Sequence, residues 1–395
     1  MLTKSYDYII AGAGCAGLSL LMRMMQDAFF SQKRILVVDA SGKTRNDRTW
    51  CFWEKEPDIF ESIVLHSWNK LDFFSETYAA ELSIQPYTYK MIQGLTFYNY
   101  VKSEAKHHPN VSWLQEKIQG FTKPATDDAG NLLSGIVLSD RSIYADYVFN
   151  SIQFEPIRSK PHQYYLQQHF KGWTIQTKEP FFDSGKATFM DFRVSQEHGT
   201  TFMYMLPTSA TTALVEYTLF TKDLLPSESY DRALKEYIAE YLHIPEYEII
   251  HEEFGIIPMT NALLPQTNGG IVYIGIAGGQ VKASSGYAFR FIQKKTAAIV
   301  DALKNGRAVS VKAGFPDVKG LLYDSTLLHI LYHQKMKGSA IFSRIFKHNQ
   351  ASDVLAFLDN ESSLFTDLKI MSSVPTAVFL PVALRELSLM QKRRN

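Results

Sequence analysis

The sequence predicts an α/β protein with a parallel-stranded layer, an inserted antiparallel sheet and a helical C-terminal region. The chain of 395 residues is long enough for two or three closely joined domains. A strand, a glycine turn, a helix and a second strand follow one another within residues 6–38. Short β-rich runs separated by Gly, Ser, Thr and Pro fill residues 172–220, and the segment after Asp324 is mainly helical and amphipathic.

The parallel layer is predicted from the first part of the chain. Residues 34–38 form a continuous apolar run, which is typical of a strand buried on both faces of a parallel sheet. Apolar residues at helical spacing predict a helix directly after the glycine turn. The predicted elements are a strand over 6–11, a helix over 16–29, a strand over 34–38, a helix over 98–107, a strand over 111–114 and a hairpin over 137–152.

The antiparallel sheet is predicted from runs that alternate with turn residues. Its expected strands cover residues 172–176, 187–194, 201–206 and 213–220. A neutral strand over 269–276, a glycine-rich turn and a helix from residue 287 then return the chain to the parallel layer. The antiparallel sheet is therefore expected as an insertion in the α/β domain.

Residues 12–17, Gly-Ala-Gly-Cys-Ala-Gly, fit the G-x-G-x-x-G pattern of dinucleotide-binding turns. The three glycines allow a tight turn, close approach of backbone to a pyrophosphate, and close packing of helix on strand. The next helix N-terminus offers free N–H groups to phosphates. Asp39 ends the second strand, 22 residues after Gly17, where it can accept a hydrogen bond from a ribose hydroxyl. The predicted cofactor contacts here are Gly12, Ala13, Gly14, Ala16, Gly17 and Asp39.

We interpret this turn as part of a Rossmann-type FAD-binding domain; the alternative is a chance glycine turn. FAD is preferred to NAD because the pattern opens the chain and a second glycine-rich segment follows later. Residues 255–281 contain no Asp, Glu, Lys, Arg or His. Within them, Gly275, Ala277 and Gly278 let the backbone lie close to a flat group. The alternative for this segment is a buried core strand and its turn.

One acid stands alone in a second neutral segment. Glu216 is the only charged side chain within residues 199–221. On a strand it shares a face with Leu214 and Thr218, so it is expected to be desolvated, which raises the pKa of an unpaired carboxyl. Buried acids of this kind are candidates for proton chemistry. The alternative is a structural ion pair with an arginine such as Arg193.

Composition excludes several classes of function. The formal net charge is +1 and no basic stretch is interleaved with aromatic residues, so no nucleic-acid partner is expected. The two cysteines, Cys15 and Cys51, lack metal-ligand spacing, so we expect no metal site and a reducing, cytoplasmic compartment. No apolar stretch reaches the roughly 18 residues of a membrane span.

Several segments of the chain carry strings that are typical of one protein family. The string at residues 47–53, Asp-Arg-Thr-Trp-Cys-Phe-Trp, is highly specific for the family. The further matches are YDYIIAGAGCAGLSL at 6–20, ATFMDFR at 187–193, FMYMLPTSATTALVEYT at 202–218 and GIAGGQVKASSGYAF at 275–289. In these segments the chain resembles the FAD-dependent lycopene cyclases of carotenoid synthesis, in particular their bacterial β-cyclases, and the resemblance extends along most of the chain.

The resemblance implies residue roles. LVEYT places the essential glutamate of the family on Glu216, while Tyr217 stands where plant relatives carry a second acid. Arg48 is expected to meet a flavin phosphate or, alternatively, to pair with Asp47. Aromatic faces stabilise cations, and the candidates for that role are Trp50, Phe52, Trp53, Tyr204 and Tyr217. The alternative for each of them, and the more common one, is a position in the core.

The implied reaction is an isomerisation of lycopene, or a similar linear carotene, to a product with β rings through a carbocation. Glu216 is expected to stabilise the cation and to deliver or accept a proton. Reduced FAD would be the second charged partner, acting either electrostatically or as the acid–base group, and NAD(P)H would serve only to reduce it. Such a substrate comes from a bilayer, so a membrane surface is an expected partner; the oligomeric state is left open. The basic amphipathic segment 327–346, with Lys335, Lys337, Arg344 and Lys347, is expected either to lie on the membrane or to pack on the catalytic domain.

The expected FAD-binding domain comprises residues 1–75, 98–155 and 255–305, the substrate domain 76–97 and 156–254, and the helical region 306–395. One rival interpretation is a flavin-dependent monooxygenase or isoprenoid reductase. Those enzymes usually carry an acid where this chain has Ile276, and monooxygenases commonly carry an Asp-Gly motif, which is not found near Asn150. The other rival is a non-catalytic lipid escort on a flavoprotein-like fold.

Overall fold

Three β-sheets form the core of the protein in the computed structural model, which describes residues 4–157, 159–309 and 315–394. The strands, in chain order, are β1 (Tyr6–Ala11), β2 (Ile35–Asp39), β3 (Thr49–Glu54), β4 (His66–Trp68), β5 (Lys70–Phe74), β6 (Ala79–Ser83), β7 (Thr88–Gln93), β8 (Val111–Gln115), β9 (Gly120–Phe121), β10 (Ala125–Thr126), β11 (Leu132–Val137), β12 (Ser142–Asn150), β13 (Tyr165–Gln176), β14 (Lys186–Asp191), β15 (Thr200–Pro207), β16 (Thr212–Thr221), β17 (Glu248–Thr260), β18 (Thr267–Asn268) and β19 (Ile271–Tyr273).

Helices cover the parallel sheet and build the C-terminal region. They are α1 (Cys15–Met25), α2 (Gly94–Ala105), α3 (Ser227–Glu240), α4 (Phe289–Lys304), α5 (Phe315–Tyr332), α6 (Gly338–His348), α7 (Ala351–Leu358), α8 (Leu364–Ser372) and α9 (Thr376–Arg394). Leu18 and Leu21 of α1 share one buried core with Ile299 of α4 and Phe97 of α2. These three helices therefore lie against the parallel sheet, as the apolar spacing of the sequence predicts.

The predicted α/β fold is confirmed by the first sheet. Its centre is a run of parallel strands in the order β8, β2, β1, β12 and β19, and β11 extends it as an antiparallel partner of β12. The predicted hairpin over 137–152 is β11 and β12 with a turn at residues 138–141. Its second strand, β12, lies in the centre of the parallel sheet. Val148 and Phe149 on this strand are fully buried there.

The second sheet is the inserted antiparallel layer. Its order is β17, β13, β16, β15, β14, β5 and β6. Two strands of this sheet lie partly or wholly outside the segments expected for the substrate domain. β5, expected in the first FAD-binding segment, pairs in parallel with β14, and β17 runs past the expected boundary at residue 254. Both strands extend this sheet through backbone hydrogen bonding, which composition does not reveal.

A third, three-stranded sheet in the order β3, β7 and β4 was not predicted. It contains most of the family-specific string at 47–53. The large aromatic side chains of its strands, Trp53, Trp68 and Tyr89, are fully buried in the core shared with the seven-stranded sheet. Phe52 and Ile92 of the same sheet are buried in the core of the parallel layer. The third sheet therefore contacts both larger layers.

The C-terminal helices pack against the seven-stranded sheet. Within the segment 327–346, Leu328, Ile330 and Ile341 are fully buried, while its basic side chains Lys335, Lys337 and Arg344 are exposed. The buried apolar side chains show that this segment packs on the rest of the protein, which was the alternative expectation, and a contact of its exposed basic side chains with a membrane stays a prediction. No helix of the described residues is long and apolar enough to cross a membrane.

Candidate functional site

A cavity of about 390 Å³ separates the N-terminal glycine turn from one face of the seven-stranded sheet. It is the place where the two predicted halves of the site meet. The lining side chains used below come from the glycine turns, the third sheet and the antiparallel sheet: Gly14, Cys15, Ala16, Arg48, Trp50, Tyr89, Tyr204, Glu216, Glu253, Gly275, Ile276 and Tyr287.

The glycine turn has the geometry that phosphate binding requires. Gly12 has φ of +101°, and a Cβ there would collide with Ser151. A Cβ on Gly17 would strike the carbonyl oxygen of Gly12, so α1 packs closely on β1. A Cβ on Gly14, in contrast, would meet nothing within 4 Å. Gly14 is also the N-cap of α1 and gives no side-chain cap, so the helix N–H groups are free toward the cavity.

Asp39 and Arg48 lie beside this turn. Asp39 ends β2 and accepts a hydrogen bond from the backbone N–H of Ala13 at 2.7 Å, so it fixes the turn. Its role toward a ribose stays a prediction. Arg48 donates to Asp47 at 3.1 Å, the pairing expected as one of two alternatives. Arg48 also lines the cavity near Ala16, so a contact with a phosphate stays a prediction as well.

The second glycine segment forms a 3-10 turn over Gly275–Gly278. Gly275 has φ of +63°, and a Cβ there would lie 2.9 Å from the Cβ of Ala16, so the two turns are in contact. Gly275 and Ile276 line the cavity. Ala277 is buried, and a Cβ on Gly278 would collide with the carbonyl of Tyr273. Ala277 and Gly278 therefore determine the shape of the turn and do not line the cavity.

Four neighbouring strands place two acids on the same face. Glu216 on β16 is opposite Gly172 on β13, and Gly172 is also opposite Glu253 on β17. Tyr204 on β15 is opposite Glu216 on its other side. A Cβ on Gly172 would lie 3.0 Å from Leu214 and 3.2 Å from the Cγ of Glu253. The missing side chain of Gly172 thus leaves the gap across which the two carboxyls approach each other.

The two carboxyls lie close enough to interact electrostatically. Glu216 accepts a hydrogen bond from Thr218 at 2.9 Å, and Glu253 accepts one from Thr49 at 2.8 Å. Burial raises the pKa of Glu216 well above its usual range, and the neighbouring Glu253 raises it further. Burial also raises the pKa of Glu253. Two like charges this close cannot both ionise easily, so the pair retains a proton.

Arg193 does not pair with Glu216. Its guanidinium donates to Asp191 at 2.9 Å, and Tyr237 donates to the same carboxylate. The structural alternative for Glu216 is therefore wrong. On its own strand, the Glu216 carboxyl accepts a hydrogen bond from the hydroxyl of Thr218, which is a neutral group.

The predicted aromatic residues divide between the cavity and the core. Trp50 and Tyr204 line the cavity. Phe52 stacks on Phe289 with ring centroids 4.2 Å apart, and Trp53 is buried with its indole N–H donating to the Leu355 carbonyl at 3.2 Å. Tyr217 lies on the opposite face of the sheet, in the core that α3 covers. Phe52, Trp53 and Tyr217 are therefore core residues.

The cavity residues that sequence reasoning missed include Glu253, Tyr89 and Tyr287. The hydroxyls of Tyr204 and Tyr287 are 3.0 Å apart, and Tyr287 also packs edge-on against Trp53. A signal for Glu253 existed, because it is the last charged residue before the neutral stretch 255–281 and follows the exposed Glu252 on the strand. Among the described residues, no group of three His, Cys, Asp or Glu side chains is arranged to hold a metal ion.

Comparison with solved structures identifies the fold. A flavin-dependent brominase aligns with a TM-score of 0.62 and 12% identity, covering 98% of this chain and 99% of the brominase. The p-nitrophenol 4-monooxygenase of Pseudomonas putida gives 0.61 and 12%, covering 91% and 99%. A geranylgeranyl bacteriochlorophyll reductase-like protein of Thermoplasma acidophilum gives 0.58 and 11%, covering 98% and 99%. At these identities the likeness is one of fold.

Sequence comparison identifies the family. The lycopene β-cyclase of Pseudescherichia vulneris is 24% identical over 327 residues, which is 76% of this chain and 75% of that protein. The family described as lycopene cyclase protein matches residues 7–383, which include both glycine turns, Glu216 and Glu253. The chain therefore belongs to the lycopene cyclase family.

Proposed function

We propose that this protein is a lycopene β-cyclase, an isomerase that closes the linear end groups of lycopene or a similar carotene to β-ionone rings. The observation that carries the proposal is the pair of buried carboxyls, Glu216 and Glu253, in the cavity that the glycine turn also lines. Family membership supports the choice of a linear carotene as substrate. The reaction needs acid–base chemistry in an apolar cavity, which this pair supports.

FAD is the cofactor that the glycine turns fit. Gly14 leaves open space in the direction of its absent side chain, and the N–H groups of α1 are free. We infer that the turn at Gly12–Gly17, with Asp39 and Arg48, holds the ribose and phosphates, and that the turn at Gly275–Gly278 holds the ring end. Bound FAD in its reduced form would supply a negative charge near the developing cation, with NAD(P)H as its reductant.

The proton step belongs to the acid pair. Glu216 donates a proton to the terminal double bond of the end group; a C–H bond forms at one carbon and a tertiary cation at the other. The electron pair of the neighbouring double bond attacks that cation and closes the ring. A C–H bond beside the new cation then breaks, and its proton returns to the carboxylate. Substrate and product are isomers, so no oxidant or reductant is consumed.

Charge stabilisation by the cavity lowers the barrier. A carboxylate about 4 Å from a cation, at an effective dielectric near 20, gains about 4 kcal/mol. Such a gain in the transition state alone corresponds to about a thousandfold in rate. The faces of Trp50, Tyr89, Tyr204 and Tyr287 surround the same space and add cation–π attraction. Glu253 keeps the proton on the pair before the reaction.

We also propose a cytoplasmic location at a membrane surface, because a carotene is almost insoluble in water. The exposed apolar side chains that support this lie on α8 and α9, among them Leu364, Phe365 and Leu384, with Phe365 79% exposed. The wild-type protein is expected to float with anionic vesicles. Phe365→Ser should weaken flotation, whereas Leu132→Ser, which changes an exposed apolar residue of β11 outside this surface, should not. Absence of the wild-type protein from the vesicle fraction would contradict this location.

Product analysis tests the proposed function. The wild-type gene expressed in a lycopene-accumulating bacterium is expected to convert lycopene to a product with β rings. Glu216→Gln, which preserves side-chain shape, is expected to leave lycopene unconverted while the purified variant still carries FAD. A folded, FAD-loaded wild-type protein that leaves lycopene unchanged would refute the proposal, as would a product that has gained oxygen or hydrogen.

A further inference from the structure

A second cavity lies among the C-terminal helices, apart from the cavity that holds Glu216. Its volume is about 400 Å³, within the range of small-molecule sites. The walls come from α5, α6, α7, α8 and α9 and are almost entirely apolar, with Leu327, Phe342, Ile345 and Phe379 among them. A ligand without polar groups is therefore the chemistry that these walls suit.

The few polar groups at the inner end of this cavity bind one another. Asp324 pairs with Lys282 at 2.8 Å and accepts a hydrogen bond from Ser284 at 2.7 Å. All three side chains are buried. Since the Asp324 charge and the Ser284 hydroxyl are already satisfied, they do not require a polar ligand. The inner end is thus closed by a satisfied ion pair rather than by an open polar site.

The outer end of the cavity reaches the surface. Leu368 of α8 and Leu380 of α9 both line the cavity and are more than half exposed. Leu364 and Phe365 on α8 and Leu384 on α9 continue the exposed apolar surface. Clustered exposed apolar groups mark contact with lipid or another apolar partner. A hydrocarbon leaving a bilayer at this surface would meet apolar side chains all the way into the cavity.

The inner wall is shared with the first cavity. Ser284 lines the second cavity, and Gly286 and Tyr287 line the first, so the loop 282–287 separates the two. The backbone N–H of Lys282 donates to the Tyr287 carbonyl at 2.8 Å, which closes this loop on itself. A chain in the second cavity therefore lies one loop away from the acid pair.

We propose that the second cavity is a receiving chamber for a linear isoprenoid hydrocarbon, which enters from a lipid bilayer between α8 and α9. The choice of an isoprenoid rests on the proposed carotene cyclisation; the presence of an apolar chain site does not. The chamber would take the chain out of the bilayer before its end group reaches Glu216. The same chamber would explain why apolar side chains remain exposed at its mouth.

The test uses the fluorescent linear polyene 1,6-diphenylhexatriene and the FAD-loaded protein. Ala383 lines the cavity, whereas Ala377 of the same helix is exposed and lies outside the lining. Ala383→Trp is expected to fill the cavity and weaken probe binding at least tenfold, while Ala377→Trp leaves it unchanged. If Ala383→Trp does not fold, Leu380→Asn at the half-exposed rim is expected to weaken binding instead. Equal affinity of wild type and the filled or rim variant would overturn the proposal.

Competition identifies the occupant. Squalene, a linear isoprenoid hydrocarbon, is expected to displace the probe from the wild-type protein. Displacement by sodium oleate but not by squalene would assign the cavity to fatty acyl chains and overturn the proposal. A protein that binds the probe as expected but does not cyclise lycopene would refute the proposed function and leave the chamber supported. A protein that cyclises lycopene but does not bind the probe would support the proposed function and overturn the receiving chamber.

Discussion

Glu253→Gln is the substitution that most sharply examines the acid pair. Glu253 accepts a hydrogen bond from Thr49 at 2.8 Å, and a glutamine oxygen can accept the same bond, so the fold is expected to survive. The substitution removes a negative charge beside Glu216. Two unit charges about 4 Å apart at an effective dielectric near 20 repel by about 4 kcal/mol. Without that repulsion the pKa of Glu216 falls, although burial still raises it above its usual range.

A lower pKa makes the protonated form of Glu216 scarce at alkaline pH. A positioned general acid contributes about 10²–10⁴-fold to a rate. We therefore expect cyclisation by Glu253→Gln to fall about a hundredfold at pH 8 and to recover partly toward pH 6. The assay is the pH profile of lycopene conversion by the FAD-loaded enzyme in mixed micelles.

Glu252→Gln is the matched control. Glu252 is the preceding residue of β17, but its side chain is 55% exposed and pairs with Lys171 at 3.3 Å on the other face. Its pH profile is expected to match that of the wild-type enzyme. If Glu253→Gln retained both full FAD content and the wild-type pH profile, the shared-proton argument would be refuted.

Two further predictions concern the cofactor turn and pH-dependent stability. Gly14→Ala should weaken FAD affinity at least tenfold with little change in melting temperature, because the added Cβ meets nothing in the protein but enters the phosphate space. Gly120→Ala, whose Cβ also enters open space, should change neither quantity. Unchanged FAD affinity in a titration of Gly14→Ala would argue against the turn as the phosphate site. Burial lowers the pKa of His169 from 6.5 to about 4. Its neutral ring is bonded to Thr221 and Tyr230, so its contribution to stability is complete above pH 6.5 and is lost as the pH falls toward 4. By pH 5 the free energy of unfolding is lower by about 2 kcal/mol from this residue. Denaturant titrations of His169→Gln should therefore show a smaller loss of unfolding free energy between pH 7 and 5 than the wild-type protein shows. An equal loss would count against protonation of His169 as its cause.

The glycine turn and Glu216 were predictable because their signals are local. The turn over residues 12–17 needs only a strand before it, a helix after it and Asp39 at the end of the next strand. Glu216 stands out because its own segment carries no other charge. Both features follow from neighbouring residues, so no knowledge of the sheet order was needed to find them.

Glu253 was not predictable because its position depends on register between distant strands. It meets Glu216 only because β13 lies between β16 and β17 and carries Gly172 at the shared row. The same limit applies to the third sheet, whose strands are brought together from residues 49–93. The segment 327–346 shows a different limit of the sequence, because a basic amphipathic pattern suits a helix packed on the protein as well as one on a membrane.

The central claim, that a proton from the acid pair drives an isomerisation, is tested most directly by product mass. Lycopene is cyclised by an excess of the purified, FAD-loaded enzyme that has first been fully exchanged in D₂O. Each ring is then formed by a carboxyl pair of Glu216 and Glu253 that carries deuterium and has received no proton from an earlier substrate. The account predicts a product isomeric with lycopene that carries one deuterium for each ring formed. A cyclic product without deuterium, or one whose mass shows added oxygen or a net gain or loss of two hydrogens, would contradict it.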